Sequence, residues 1–312
     1  MSNHSDIVHD TGFYWSRYKT AIVIMLLFTA SNSVFFKLST LPPMTFVSGR
    51  FLIASLAFLL IILIRRKGFA GIRMREMLVL LIIGCVFATG AFVYFLALKT
   101  TALASVLILN CCNAIFIVIL SALILRQKIG YKVYLTTGIT FCGILVIFLF
   151  TSHGGGHLFG NLMALTCALC AAIYIIFMKR FAHMDVYVKL FFVYFGSFLF
   201  ATIVSVMQGN PFFCDDKGFG VEQLWMFCSA ILSVTIPQIV INLSLRHVHA
   251  TFVGNVSLME PIVASIYGYM VWREGVTIYH IIGGILVIGG LLLYNKVEST
   301  SIRSRDSIQN KE

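Results

Sequence analysis

The sequence predicts an all-α integral membrane protein, with ten transmembrane helices in two inverted five-helix repeats. Three observations lead there. Of the 312 residues, 59% are hydrophobic and only 11% charged, with a mean hydropathy of +0.95, whereas a soluble domain carries about 25% charged residues. So little polar side chain cannot cover a water-facing surface, and the apolar excess must face lipid. The apolar residues also fall into ten runs of spanning length, and the two halves of the chain are weakly similar at a fixed offset. Soluble enzymes, nucleic-acid binders and disordered chains are excluded.

The ten runs are Ala21–Phe36, Pro43–Ile64, Met77–Leu98, Leu103–Leu125, Tyr131–Phe150, Leu158–Met178, Leu190–Met207, Gln223–Leu245, Ala250–Val271 and Ile278–Tyr294. Each approaches the ~20 residues that a bilayer core requires. Lipid offers no hydrogen-bond partner to an exposed backbone, so runs of this length without period-2 alternation are helices rather than barrel strands. Residues 1–20 form a polar cytoplasmic segment with no removable signal peptide. Residues 21–150 and 158–294 form the repeats, and 295–312 a polar cytoplasmic tail.

The net charge of +11 reports topology, because the basic residues sit in short loops between apolar runs. With the N-terminus inside, 18 of the 23 Lys and Arg lie on the cytoplasmic side, including the loops Arg65–Arg75, Arg126–Lys132 and Lys179–Lys189. Lys37, Lys99, Lys217 and Arg273 lie outside, and Arg50 falls within a span. This bias places both termini of a multi-pass protein in the cytoplasm. Seven of the eight cysteines fall inside apolar runs, so no disulfide framework is indicated. Cys167 and Cys170 form a C-x-x-C without a second pair or histidines, which reads as small packing residues rather than a metal site.

At an offset of 147, Asn113 matches Glu260, Ala114 matches Pro261 and Gln127 matches Glu274. Each half holds five spans. An odd number makes the second copy enter the membrane from the opposite side, giving an inverted repeat, which is transporter architecture.

The stretch Leu41-Pro42-Pro43-Met44-Thr45-Phe46-Val47-Ser48-Gly49-Arg50-Phe51, the Met259-Glu260-Pro261-Ile262 of the ninth span, Trp272-Arg273-Glu274 and Gly283-Gly284 resemble EamA-type permeases of the drug/metabolite transporter superfamily. The resemblance covers residues 21 to 295 and implies a ten-helix, two-repeat carrier of small metabolites, often an exporter, in a bacterial cytoplasmic membrane. Ala114, Gln127 and Thr29 stand where that pattern has proline, glutamate and tryptophan, so the first half is the divergent one.

Two formally charged side chains fall well inside spans, Arg50 and Glu260, and each costs at least ~2.5–3.5 kcal/mol near the bilayer centre unless paired or hydrated. Both should face the bundle interior. Glu260 and its repeat mate Asn113 sit near mid-span, where carriers of this kind bind substrate. Pro261 lacks an N–H and predicts a helix break with a freed carbonyl near Ser257. Glu260 holds a cationic group of the substrate or exchanges a coupling proton, or else pairs with Arg50 or caps local backbone. Asn32, Tyr94, Tyr174 and Asn242 are further expected lining groups. One acid, one base and several amides and hydroxyls suit a zwitterion, with Arg50 near its carboxylate and Glu260 near its amine.

Catalysis is not expected. The six aspartates lie outside the spans, the histidines cluster at span ends, and neither H-E-x-x-H nor a phosphate-binding glycine loop occurs. No cofactor or metal is implied. The expected partners are a small-molecule substrate, the lipid bilayer and protons as coupling ion. Export is the leading direction, with nutrient uptake or a non-transporting scaffold or receptor as alternatives.

Overall fold

A computed structural model of the chain describes residues 4–66, 73–100, 109–126, 130–151, 158–209 and 220–272, position 106, and scattered positions between 278 and 297 that include 288–294. Every element among them is helical: α1 His4–Ala30, α2 Asn32–Leu38, α3 Pro43–Ile64, α4 Met74–Thr100, α5 Asn113–Leu123, α6 Tyr131–Thr151, α7 Leu158–Arg180, α8 Val186–Met207, α9 Val221–Cys228, a π-helix Ser229–Thr235, α10 Ile236–Ser244, α11 Ala250–Ser257 and α12 Glu260–Trp272.

Six described helical segments are long and apolar enough to cross a membrane: Arg17–Phe36, Pro43–Ile64, Met74–Ala97, Leu158–Arg180, Val186–Met207 and Val221–Ser244. A shorter apolar helix covers Leu109–Leu123. α3 shows the design. Phe51, Ala54, Phe58 and Ile62 are buried, while Leu56, Leu60, Leu63 and Ile64 are more than half exposed. Both faces are apolar, which suits a helix with lipid on one side and neighbouring helices on the other. Pro43 opens this helix at a position where its missing N–H costs nothing.

The chain divides into two compact units, Met1–Phe95 with Ile173–His249, and Leu96–Ala172 with Ala250–Glu312, so each draws on both halves of the sequence. Within the first unit α4 and α8 approach through glycine. An added Cβ on Gly84 would lie 2.1 Å from the Val193 carbonyl oxygen, and one on Gly196 would lie 2.5 Å from the Leu81 carbonyl oxygen. Ser197 Oγ donates to the Gly84 carbonyl at 2.9 Å, tying the contact.

At the far end of α7 and α10, cations cap helix ends. Lys179 Nζ donates to the carbonyls of Leu245 and Val248, Arg246 to that of Met184, and Lys189 Nζ to that of Met178 at 3.0 Å. Lys189 was expected in a loop. α8 instead begins at Val186, with Asp185 accepting from the Tyr187 N–H at 3.0 Å, and Lys189 is wholly buried. The last carbonyls of a helix carry partial negative charge, which favours a cation there. Glu222, in the first turn of α9, accepts from Ser39 Oγ at 2.9 Å and Thr40 N–H at 2.8 Å, holding the α2–α3 connection.

In the second unit α5 packs against α11, where Ile117 stands 3.0 Å from where a Cβ on Gly254 would be. Thr137 Oγ1 donates to Asn255 Oδ1 at 3.2 Å, and the Thr251 and Tyr294 hydroxyls are 2.6 Å apart. The loop holding Asp215, Asp216 and Lys217, the Gln127, Arg273, Glu274 and Gly284 positions and the tail beyond 297 lie outside the described residues.

Candidate functional site

In the second unit, helix interruptions bring the mid-span polar groups together. The ninth expected span is not one helix. α11 ends at Ser257, Leu258 and Met259 form a turn, and α12 restarts at Glu260. The fourth span is interrupted likewise at Cys112, and α5 starts at Asn113. The restarts therefore fall on the pair of positions matched by the repeat. Pro261 is the second residue of α12, where a helix has no use for its N–H, and the Met259 carbonyl accepts from Ile262 and Val263 at 3.1 Å each.

Ser257 Oγ lies within hydrogen-bond reach of both Asn113 Oδ1, at 3.3 Å, and the Gly254 carbonyl, at 2.7 Å, so the two interruptions touch. Leu258 packs with Cys111 and Ala114, flanked by Met259 and Ile262. Cys167 Sγ donates to Asn110 Oδ1 at 3.4 Å, and Cys167 and Cys170 are free thiols. Glu260 is half-buried in the first turn of α12, where the helix dipole favours a negative charge. No described residue forms a hydrogen bond or ion pair with its carboxylate.

The first unit holds a polar cluster around Arg50, which is 6% exposed. Arg50 Nη1 donates to Asn32 Oδ1 at 2.6 Å, and Ser229 Oγ donates to the same oxygen at 3.0 Å. Asn32 opens α2 just after the α1 chain breaks at Ser31, and Ser229 opens the π-helix. Ser31 and Ser233 place their hydroxyls 2.9 Å apart across the same contact.

Tyr174 and Asn242 meet in this unit through Gln238. The Tyr174 hydroxyl donates to Gln238 Oε1 at 2.7 Å, and Asn242 Nδ2 donates to the same oxygen at 3.2 Å. Phe87 stands 4.5 Å from the Tyr174 ring and 5.9 Å from that of Tyr194, which also meets Phe51 and Phe58. Tyr174 and Asn242 are buried. Tyr174→Phe is expected to cost about 0.6 kcal/mol, the average for a hydrogen bond between membrane helices; thermal unfolding of the purified protein measures it. Tyr94 lies on α4 with its ring 5.7 Å from Phe95.

Residues 18–149 match the EamA-like transporter family, and residues 158–296 match it a second time. The chain belongs to the EamA-like transporter family. As an EamA-like transporter it is 28% identical over 264 residues to the uncharacterized transporter YetK of Bacillus subtilis (strain 168), covering 80% of this chain and 78% of that one. It is 22% identical over 263 residues to the uncharacterized transporter YoaV of the same organism, covering 81% and 87%. A solved crystal structure of a protein 17% identical in sequence superposes with a TM-score of 0.76 over 91% of this chain and 97% of that one, a likeness of fold. Family and apolar helices together make this EamA-like transporter a multi-pass membrane protein.

Sequence reasoning singled out Arg50, Asn32, Asn113 and Glu260 but missed what holds Asn32 and Asn113. Ser229 and Ser257 are the partners, and both are small hydroxyls that an apolar span tolerates anywhere. Their one sequence signal is proximity to a polar cluster, Ser229 and Ser233 one turn apart and Ser257 three before Glu260.

Proposed function

We propose that the protein is a secondary carrier working by alternating access, moving a small metabolite such as an amino acid or a derivative outward across the cytoplasmic membrane. Ten spans in two inverted repeats, with both termini in the cytoplasm, complete this reading. The twofold match to the family supports the repeat. The observation that carries the mechanism is the pair of interrupted helices restarting at Asn113 and Glu260, bridged by Ser257. Interrupted spanning helices are tolerated where their backbone lines a cavity, and their N-terminal ends suit a binding site.

Glu260 then carries the coupling, either as the group that exchanges a proton with each compartment or as the partner of a substrate amine. Asn113 supplies an amide beside it, and Ser257 keeps the two ends in register. Arg50, with Asn32, is the second charged element.

The experiment is a comparison of metabolites inside and outside cells with and without the gene. An exporter predicts that at least one amine-bearing metabolite accumulates inside cells lacking it and falls in their medium. Unchanged distributions under conditions where the gene is expressed contradict a carrier, and the reverse redistribution contradicts export.

A further inference from the structure

Of the cations in the first unit, Lys189 and Arg50 are buried, Lys179 is half-buried and Arg246 is exposed, and they are compensated in different ways. Lys179, Lys189 and Arg246 each donate to main-chain carbonyls near helix ends, where the backbone itself supplies negative charge. Arg50 stands in the body of α3, its charged group contacting the Asn32 amide oxygen through Nη1 alone. That oxygen is neutral and is shared with Ser229. Nε is buried without any hydrogen-bond partner, and neither it nor Nη2 donates to a described residue. No described carboxylate lies within ion-pair distance.

A guanidinium stays protonated even when buried, so the membrane interior holds a full positive charge whose Nε–Nη2 edge no described residue accepts from. That edge presents two parallel N–H groups, the fork that a carboxylate matches with its two oxygens. Nη1 is locked by Asn32, so the edge is fixed in direction. The Phe51 ring lies 4.9 Å from the guanidinium carbon and covers one face. A second feature sits on the same spot. The π-helix Ser229–Thr235 interrupts the α-helical ladder beside Arg50, with Thr235 Oγ1 donating to the Ala230 carbonyl five residues back at 2.8 Å. Short π-helical segments inside α-helices are rare and occur mostly at functional sites. Here the segment presents Ser229 and Ser233 to Asn32 and Ser31.

We propose that Arg50, oriented by Asn32 and Ser229, binds the carboxylate of the transported solute through its Nε–Nη2 edge. This deepens the carrier reading and rests on it. Asn32 and Ser229 are positioning residues. They act by holding the guanidinium.

The test uses the full-length protein in nanodiscs, with two- to six-carbon monocarboxylates, their uncharged amides and inorganic phosphate as probes, reading the thermal midpoint against probe concentration. At least one carboxylate should raise the midpoint saturably while its amide and phosphate do not. Arg50→Lys should weaken that carboxylate at least tenfold, and Ser229→Ala should weaken it severalfold with the selectivity over the amide retained. Ser229→Ala keeps the charge in place and serves if Arg50→Lys does not fold. Carboxylates that act no differently from their amides, phosphate that acts as well as they do, or an unchanged response in both variants would overturn the proposal. Flux of solutes that lack a carboxylate, together with no carboxylate binding, overturns the site and leaves the carrier. Carboxylate binding with no flux of any solute overturns the carrier reading, and with it the assignment of this carboxylate to cargo.

Discussion

Glu260→Gln is expected to lower flux in proteoliposomes at least about tenfold, the factor that corresponds to losing 1.4 kcal/mol of interaction with a cation or proton. The substitution keeps size and hydrogen-bonding capacity and removes the charge and the exchangeable proton. Glu260 takes no hydrogen bond from a described residue, so no described group is left unpaired by the change. The variant should fold and unfold like the parent. If Glu260 exchanges a coupling proton, flux in the parent changes with pH and the residual flux of the variant does not. If it holds a substrate amine instead, the variant shows a raised KM with its pH profile unchanged. Parental flux and parental pH dependence together would remove Glu260 from the mechanism.

The second large effect falls on stability. Gly84→Val should sharply reduce the yield and thermal midpoint of folded protein, because the added carbons meet the main-chain oxygen of Val193 and the main-chain nitrogen of Ser197, 2.1 and 2.9 Å from where a Cβ would be. Overpacking typically costs about 1–3 kcal/mol, and here the upper end applies, since a backbone in mid-helix has no rotamer by which to yield. Gly84→Ala should show a smaller loss in the same direction. Gly138 is the control. It is also helical, but a Cβ there meets nothing within 4 Å, so Gly138→Ala should gain roughly 0.8–1 kcal/mol from helix propensity alone. Equal midpoints for the Gly84 and Gly138 variants would contradict the close approach of α4 and α8.

Much of the architecture is legible because apolar length is a property of each segment by itself. Pro43–Ile64 is bounded by a proline pair and an arginine pair, and expectation and structure coincide there. The interruptions were less accessible. The break at Ser31 and the π-helix at Ser229–Thr235 leave hydropathy untouched, since they change which carbonyl each N–H meets and not how apolar the segment is. At Glu260 and Pro261 the sequence reads as an interruption, and in the structure a turn at Leu258 and Met259 precedes them, with α12 beginning at Glu260. Lys189 misled because a lysine near an apolar run reads as a loop end, whereas a helix-end carbonyl let it be buried.

For the site, charge was the readable part. Arg50 and Glu260 stand out in any span, but the contacts beside them join residues far apart in sequence, Asn32 with Ser229 and Ser257 with Asn113. Single spans carry no record of which helix lies beside them.

The central claim is that the interruption at Ser257–Glu260 lines a cavity reached by water from each compartment in turn. It is tested most directly with Ser257→Cys in a chain stripped of its eight native cysteines, treated with a charged, membrane-impermeant thiol reagent in right-side-out and in inside-out vesicles. The account predicts modification from both sides, with flux blocked once the thiol has reacted. Modification from neither side, alongside reaction with a lipid-soluble maleimide, would place position 257 against acyl chains or sealed core and contradict it.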